Sequence, residues 1–203
     1  MFRFVSLALV AVAVVALLVT PAPAAPIKIG TKAPEFNGLD ATDGKSYSSA
    51  DFKGKDVLVI CITCNHCPVA MGYEDRIIDF AKKHAGNGSK VGFIAINVNP
   101  GEEDGLPRMK ERVKDKGMTY VYAIDPSQKI ARQLGASVTP EFFVFDKERK
   151  LVYTGALDDN PKSEKVTKHY LDDAVKAALK AEPPSEPKST PVGCGIQYQR
   201  SSQ

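Results

Sequence analysis

The feature that most constrains this chain is a junction. Val57-Leu58-Val59-Ile60-Cys61-Ile62-Thr63 is an uninterrupted apolar, largely β-branched run, and it leads at once into Cys64-Asn65-His66-Cys67-Pro68. A run of that length and composition fits a strand buried on both faces. Beyond it, Val69, Tyr73, Ile77, Phe80 and Ala81 recur at helical spacing, which predicts a helix over 69–84 ended by Gly86 and Gly88. Pro68 falls near the first turn, where N–H groups have no intrahelical partner, so a missing one costs little.

The rest of the chain repeats the alternation. Residues 91–98 read as a second buried strand, 106–116 as a charged surface helix ending at Gly117, 120–124 as a short strand, and 127–134 as a short helix closed by Gly135. Phe142-Phe143-Val144-Phe145 and Leu151-Val152-Tyr153 predict a hairpin, and 163–180 a last helix with Val166, Tyr170, Leu171, Ala174, Ala178 and Leu179 inward. Before the junction, 36–39 and 46–47 predict a small hairpin around Asp43-Gly44, preceded by a loose leader over 25–31. Strands alternating with helices and ending in a hairpin imply an α/β domain with a central mixed sheet flanked by helices and an N-terminal β-hairpin extension. Past residue 181, Glu182-Pro183-Pro184-Ser185-Glu186-Pro187 reads as an extended linker that carries Cys194.

The first residues are read as an address rather than as fold. Met1-Phe2-Arg3, an apolar run over 4–19 and Ala22-Pro23-Ala24 give the charged start, hydrophobic stretch and small-residue site of a signal peptide over 1–24. The other reading is an uncleaved membrane anchor, which is the one membrane contact expected. Export implies a periplasmic or otherwise extracytoplasmic, oxidising compartment. The net charge of +3 comes from scattered basic residues, which gives no nucleic-acid patch. Four cysteines are too few for a disulfide scaffold, and Cys61, Cys64 and Cys67 fall together at the junction.

Disulfide exchange needs an accessible thiolate and a nearby thiol to resolve the mixed disulfide. Two residues between cysteines at a helix start bring the sulfurs within reach. The helix end, with its unpaired N–H groups, favours the thiolate. Cys64 is therefore the expected nucleophile and Cys67 the resolving thiol. His66, when protonated, would favour the thiolates and tilt the pair towards oxidising behaviour. Zinc sites use the same C-x-x-C spacing, but the strand before it and the helix after it favour redox use, with no metal and no cofactor expected.

Thr63-Cys64-Asn65-His66-Cys67-Pro68-Val69-Ala70, with Val138-Thr139-Pro140 far downstream, resembles the thioredoxin-like superfamily. Gly30-Thr31-Lys32-Ala33-Pro34-Glu35-Phe36 and Asp51-Phe52-Lys53-Gly54-Lys55 narrow the resemblance to its exported redoxin, or AhpC/TSA-type, branch. The resemblance covers about residues 30–180 and implies a thioredoxin-like fold. It also implies a cis Pro140 facing the cysteines, with the backbone at Thr139 and Pro140 binding the substrate chain. Without it, Pro140 reads as an ordinary trans proline at a strand entrance. Two departures stand out. The buried carboxylate that thioredoxins carry six residues before the nucleophile is Leu58 here, so His66, Glu74 or water is left to move protons, although Glu74 by itself reads as a solvated helix residue. The peroxidase pattern P-x-x-x-T-x-x-C fits neither Cys64 nor Cys67, and Pro140 stands where peroxiredoxins have arginine.

Cys61 reads as a buried packing cysteine and Cys194 as open, either pairing with another cysteine of the chain or remaining a free or intermolecular thiol; both are candidate auxiliary thiols. His84 and His169 read as surface residues. The expectation is a signal peptide over 1–24, a thioredoxin-like domain over 25–181 and a Pro-rich tail over 182–203. The expected activity is thiol–disulfide oxidoreduction on protein or small-molecule disulfides, with dithiol or disulfide client proteins and a redox partner. The alternatives are an AhpC/TSA-type thiol peroxidase and a copper or zinc metallochaperone using Cys64, Cys67 and His66.

Overall fold

The computed structural model describes residues 25–199. The signal-peptide reading of 1–24 lies outside the described residues. Among the described residues no helix is long and apolar enough to cross a membrane.

The apolar run forms β3 (Val57–Thr63), following a small hairpin of β1 (Leu39–Asp40) and β2 (Ser46–Tyr47). Then come α1 (Pro68–His84), β4 (Val91–Asn97), α2 (Leu106–Lys116), β5 (Val121–Ile124) and α3 (Lys129–Leu134). The chain continues through β6 (Val138–Thr139), β7 (Glu141–Phe145), β8 (Leu151–Gly155), α4 (Tyr170–Leu179) and β9 (Cys194–Gly195). The main sheet has the order β5-β4-β3-β7-β8. Strands β3, β4 and β5 run parallel, and β7 and β8 join them antiparallel.

Every residue of β3 and β4 is buried, as expected for strands covered on both faces. Their two-residue period divides the core. Val57, Val59, Cys61, Phe93 and Ala95 face α1 and α4, while Leu58, Ile60, Ile62, Ile94 and Ile96 face α3 and the N-terminal segment. Cys61 is fully buried and unpaired. Leu58 packs in the opposite half of the core from Cys61, among Phe143, Phe145 and Leu151.

Several elements differ from the sequence reading. The hairpin pairs Leu39 with Tyr47 and Asp40 with Ser46, further along than 36–39. The helix expected over 163–180 is a single 3-10 turn at Ser163–Lys165, then extended chain, then α4. The Asp159 carboxylate accepts from the amides of Thr167 and Lys168, at 2.9 and 3.0 Å, offering that stretch partners outside a helix. On α4 the inner face is Leu171, Ala174, Val175 and Ala178, and Leu179, expected inward, is exposed. His84 is not a surface residue: it meets Asp172 at 2.5 Å and its ring lies 4.8 Å from that of Phe80. His169 is exposed.

Both ends of the described chain are docked. The 25–31 leader is fixed by Ile27 N–H donating to Leu134 O (3.2 Å) and Gly30 N–H to Leu151 O (2.8 Å). The tail follows the β8 edge, where Thr154 N–H donates to Pro187 O and Ser189 N–H to Thr154 O, both at 3.1 Å. It then crosses to β6, where Val138 pairs with Gly195 and Thr139 with Cys194.

Candidate active site

The site lies beyond the carboxyl ends of the parallel strands, where open α/β sheets gather their binding groups. Strand β3 delivers Cys64. The chain bends at Asn65 and His66, Cys67 takes the extended conformation favoured before a proline, and α1 begins at Pro68. Cys67, not Cys64, is thus the N-cap, and its Sγ accepts from the Ala70 amide at 3.4 Å.

The Thr139–Pro140 peptide is cis, and its Thr139 sits against both sulfurs. Cys64 Sγ lies 3.0 Å from Thr139 Oγ1, and Cys67 Sγ lies 3.5 Å from the Thr139 carbonyl oxygen. The sulfurs are not joined to each other. Cys67 is disulfide-bonded to Cys194 across a sequence separation of 127, and Cys64 is a free thiol. The tail therefore covers the site. Cys64, expected to be accessible, is only 3% exposed.

Burial dominates the Cys64 thiol and raises its pKa. Hydrogen bonding from Thr139 and the Cys67 amide works in the other direction, and the charge of Asp104 adds to the rise. The expectation that a helix end holds Cys64 as a thiolate fails on its burial, on this carboxylate and on the helix capping at Cys67 instead. The buried Asn99 Nδ2 has no hydrogen-bond partner among the described residues. A thiolate at Cys64 would be one.

Asp104 is the residue the sequence reading missed. It lies on a single 3-10 turn, Glu102–Asp104, and is 1% exposed. Its Oδ1 accepts from the Asn65 amide at 2.6 Å and from Asn97 Nδ2 at 3.1 Å, and its Oδ2 pairs with His66 Nδ1. Tyr122 Oη donates to Asn65 Oδ1 at 2.8 Å and itself accepts from Asn97 Nδ2 at 3.2 Å. Both residues between the cysteines are therefore anchored to a buried polar cluster. The available signal was its place just after a parallel strand, in Glu102-Glu103-Asp104 between two glycines.

Glu74 is not solvated. It is buried and clamped by Arg112 through Nε and Nη2 at 2.8 and 2.7 Å. It lines a small cavity with Cys61, Cys64, Tyr120 and Tyr122. Burial pushes the Cys61 thiol far up, so it stays protonated.

The redoxin family profile matches residues 28–171. The chain belongs to the redoxin family. The match leaves the Cys194 tail outside it. The thiol-disulfide oxidoreductase ResA of Bacillus thuringiensis (strain Al Hakam) is 30% identical over 128 residues, covering 62% of this chain and 68% of that protein. A hypothetical protein of Sinorhizobium meliloti superposes with a TM-score of 0.78 at 34% identity, over 86% of this redoxin and 97% of its own chain. A thiol:disulfide interchange protein from Chlorobium tepidum gives 0.57 at 27% identity, over 76% and 99%. The expected thioredoxin-like fold and thiol–disulfide oxidoreductase class thus hold for this redoxin.

Proposed function

We propose that this thiol–disulfide oxidoreductase exchanges disulfides through Cys64 and Cys67, outside the cytoplasm, with cysteine-bearing client proteins. The observation that carries the reading is the position of both sulfurs against Thr139, directly before the cis peptide to Pro140.

The cycle follows from that placement. With Cys64 and Cys67 both reduced, the Cys64 thiolate attacks a client disulfide. One client sulfur leaves as a thiolate and the other stays bonded to Cys64. The Cys67 thiolate then attacks Cys64 Sγ, closing the Cys64–Cys67 disulfide and releasing the second client thiol. The client gains two electrons and the pair loses them; a dithiol partner restores the pair. Run backwards, the oxidised pair makes a client disulfide. Asn99, Thr139 and the Cys67 amide supply the hydrogen bonds that favour the thiolate. Asp104 holds Asn65 and His66 in place, and its charge raises the Cys64 pKa. The signal-peptide reading and the export implied by it support the extracytoplasmic setting.

Insulin reduction by dithiothreitol tests the assignment. Cys64→Ser is expected to fall to the uncatalysed rate, and Cys67→Ser to accumulate a mixed disulfide on Cys64. Wild-type turnover in Cys64→Ser refutes the assignment. One observation favours a second reading: donor atoms of Cys64, His66 and Asp104 lie within 4.8 Å of one another, a set that suits a soft or borderline metal. Stoichiometric zinc or copper in reduced protein without insulin-reducing activity would favour that reading.

A further inference from the structure

We infer that Gly193-Cys194-Gly195-Ile196 is a built-in mimic of the client, an extended cysteine-bearing strand laid on Val138–Thr139 that must be expelled before a client strand of the same kind can bind. The inference rests on the reading of Cys64 and Cys67 as the exchanging pair.

The tail engages the site as a peptide ligand would. It adds an antiparallel strand to β6, with Cys194 opposite Thr139, the residue against which both active-site sulfurs lie. Main-chain pairing of this kind gives affinity, and pockets beside it give selectivity. One side of the cysteine is sterically closed. A Cβ on Gly193 would sit 2.3 Å from the Thr139 carbonyl oxygen and 2.7 Å from its carbon. The other side is apolar: Ile196 packs with the α3-side core, and its amide donates to Ser137 O at 3.1 Å. A fitting client is therefore an extended segment with glycine before its cysteine and an apolar residue two positions after it.

The hold on the tail is built in the domain. Gln128 adopts a left-handed backbone, φ 57°, at a non-glycine position. Its side chain donates to Gln197 O at 2.9 Å and accepts from the Gln199 amide at 2.7 Å. Asn99 Oδ1 accepts from the Gln197 amide at 3.2 Å, so the residue whose Nδ2 is left for Cys64 also grips the tail. Arg132 stacks 4.4 Å above the Tyr198 ring.

Release needs no outside oxidant or reductant. The Cys64 thiol loses its proton to solvent, and the thiolate attacks Cys67 Sγ. The Cys64–Cys67 disulfide forms as the Cys67–Cys194 bond breaks. Cys194 leaves as a thiolate and takes up a proton, so the oxidation level of the chain is unchanged. The tail can then lift, exposing the β6 edge with an oxidised pair beneath it. Burial of Cys64 under the tail slows this step until the strand loosens.

The test uses reduced protein and a peptide spanning residues 191–199 whose cysteine carries a thionitrobenzoate disulfide, with release of the chromophore as the readout. A chain ending at Lys188 is expected to react about ten-fold faster than the full chain, because a tethered tail competes at millimolar effective concentration. Placing valine before the peptide's cysteine is expected to slow the truncated chain about ten-fold, from the clash at Thr139. Should truncation impair folding, Gly193→Ala in the full chain displaces the strand locally and is expected to accelerate the reaction likewise, with circular dichroism checking the fold. Equal rates with and without the tail, or indifference to the residue before the cysteine, overturn the mimic while leaving the oxidoreductase intact. Failure of every form to exchange with the peptide or with insulin overturns both.

Discussion

Cys194→Ser tests how much the tail disulfide contributes to the fold. The bond ties residues 127 positions apart, so in the unfolded chain it closes a loop spanning most of the domain. Chain-entropy arithmetic for a loop of that size gives about 5 kcal/mol of stabilisation at 25 °C. The mutant keeps the pairing of Val138 with Gly195 and of Thr139 with position 194, so it retains part of its tail structure and the observed loss should lie between about 3 and 5 kcal/mol. Isomerisation is the complication. If Cys64 attacks Cys67 in the unfolded chain, the long loop is traded for a C-x-x-C loop that restrains almost nothing. The measurement therefore belongs at about pH 5, where the thiolate needed for exchange is scarce. Urea unfolding of oxidised wild type and Cys194→Ser, followed by circular dichroism, gives the difference directly. A difference under about 1 kcal/mol would show that the tail is not covalently restrained in the native protein. A wild-type stability that falls towards the mutant's as the pH is raised would report the exchange itself.

Three further outcomes are expected. Because the Cys64 pKa is raised, iodoacetamide should label it with a pH midpoint above that of an ordinary cysteine; the thiol's contribution to stability is full below the unfolded-state thiol pKa and is lost as pH rises through the folded one. A labelling midpoint below about pH 8 contradicts the buried thiol described here. Asp104→Asn should speed labelling at neutral pH several-fold by removing the charge that raises the Cys64 pKa, and unchanged labelling would deny Asp104 that role. Arg112→Ala should destabilise the domain by about 3 kcal/mol in thermal or urea unfolding, because it leaves buried Glu74 with Lys116, 3.8 Å away, as its one counter-charge among the described residues.

Local patterns in the sequence reached as far as their own range. The β-branched run 57–63 could only be a covered strand, Pro68 could only sit where an amide is not needed, and Gly117 and Gly135 end α2 and α3 in the left-handed conformation that a glycine adopts freely. The resemblance added the cis Pro140, which residue chemistry alone would have left trans. Helical periodicity over 163–180 misled, because it cannot register that Asp159 captures the amides of Thr167 and Lys168. Glu74 misled in the same way, since a lone acidic residue on a helix looks solvated until Arg112 arrives from another helix.

The C-x-x-C spacing determined that Cys64 and Cys67 share one turn of chain at the mouth of a strand. It could not determine which sulfur is bonded to which. That choice is made by a tail more than a hundred residues downstream, which strand pairing at Thr139 and the grip of Gln128 bring onto Cys67. The carboxylate beside the thiols was equally out of reach. Leu58 fills the strand position where the resemblance places that carboxylate, and Asp104 approaches from the turn after β4. Reactive groups within one turn of chain are fixed by local backbone geometry. Their partners, their burial and hence their proton affinity are set by which distant segments the sheet order brings beside them.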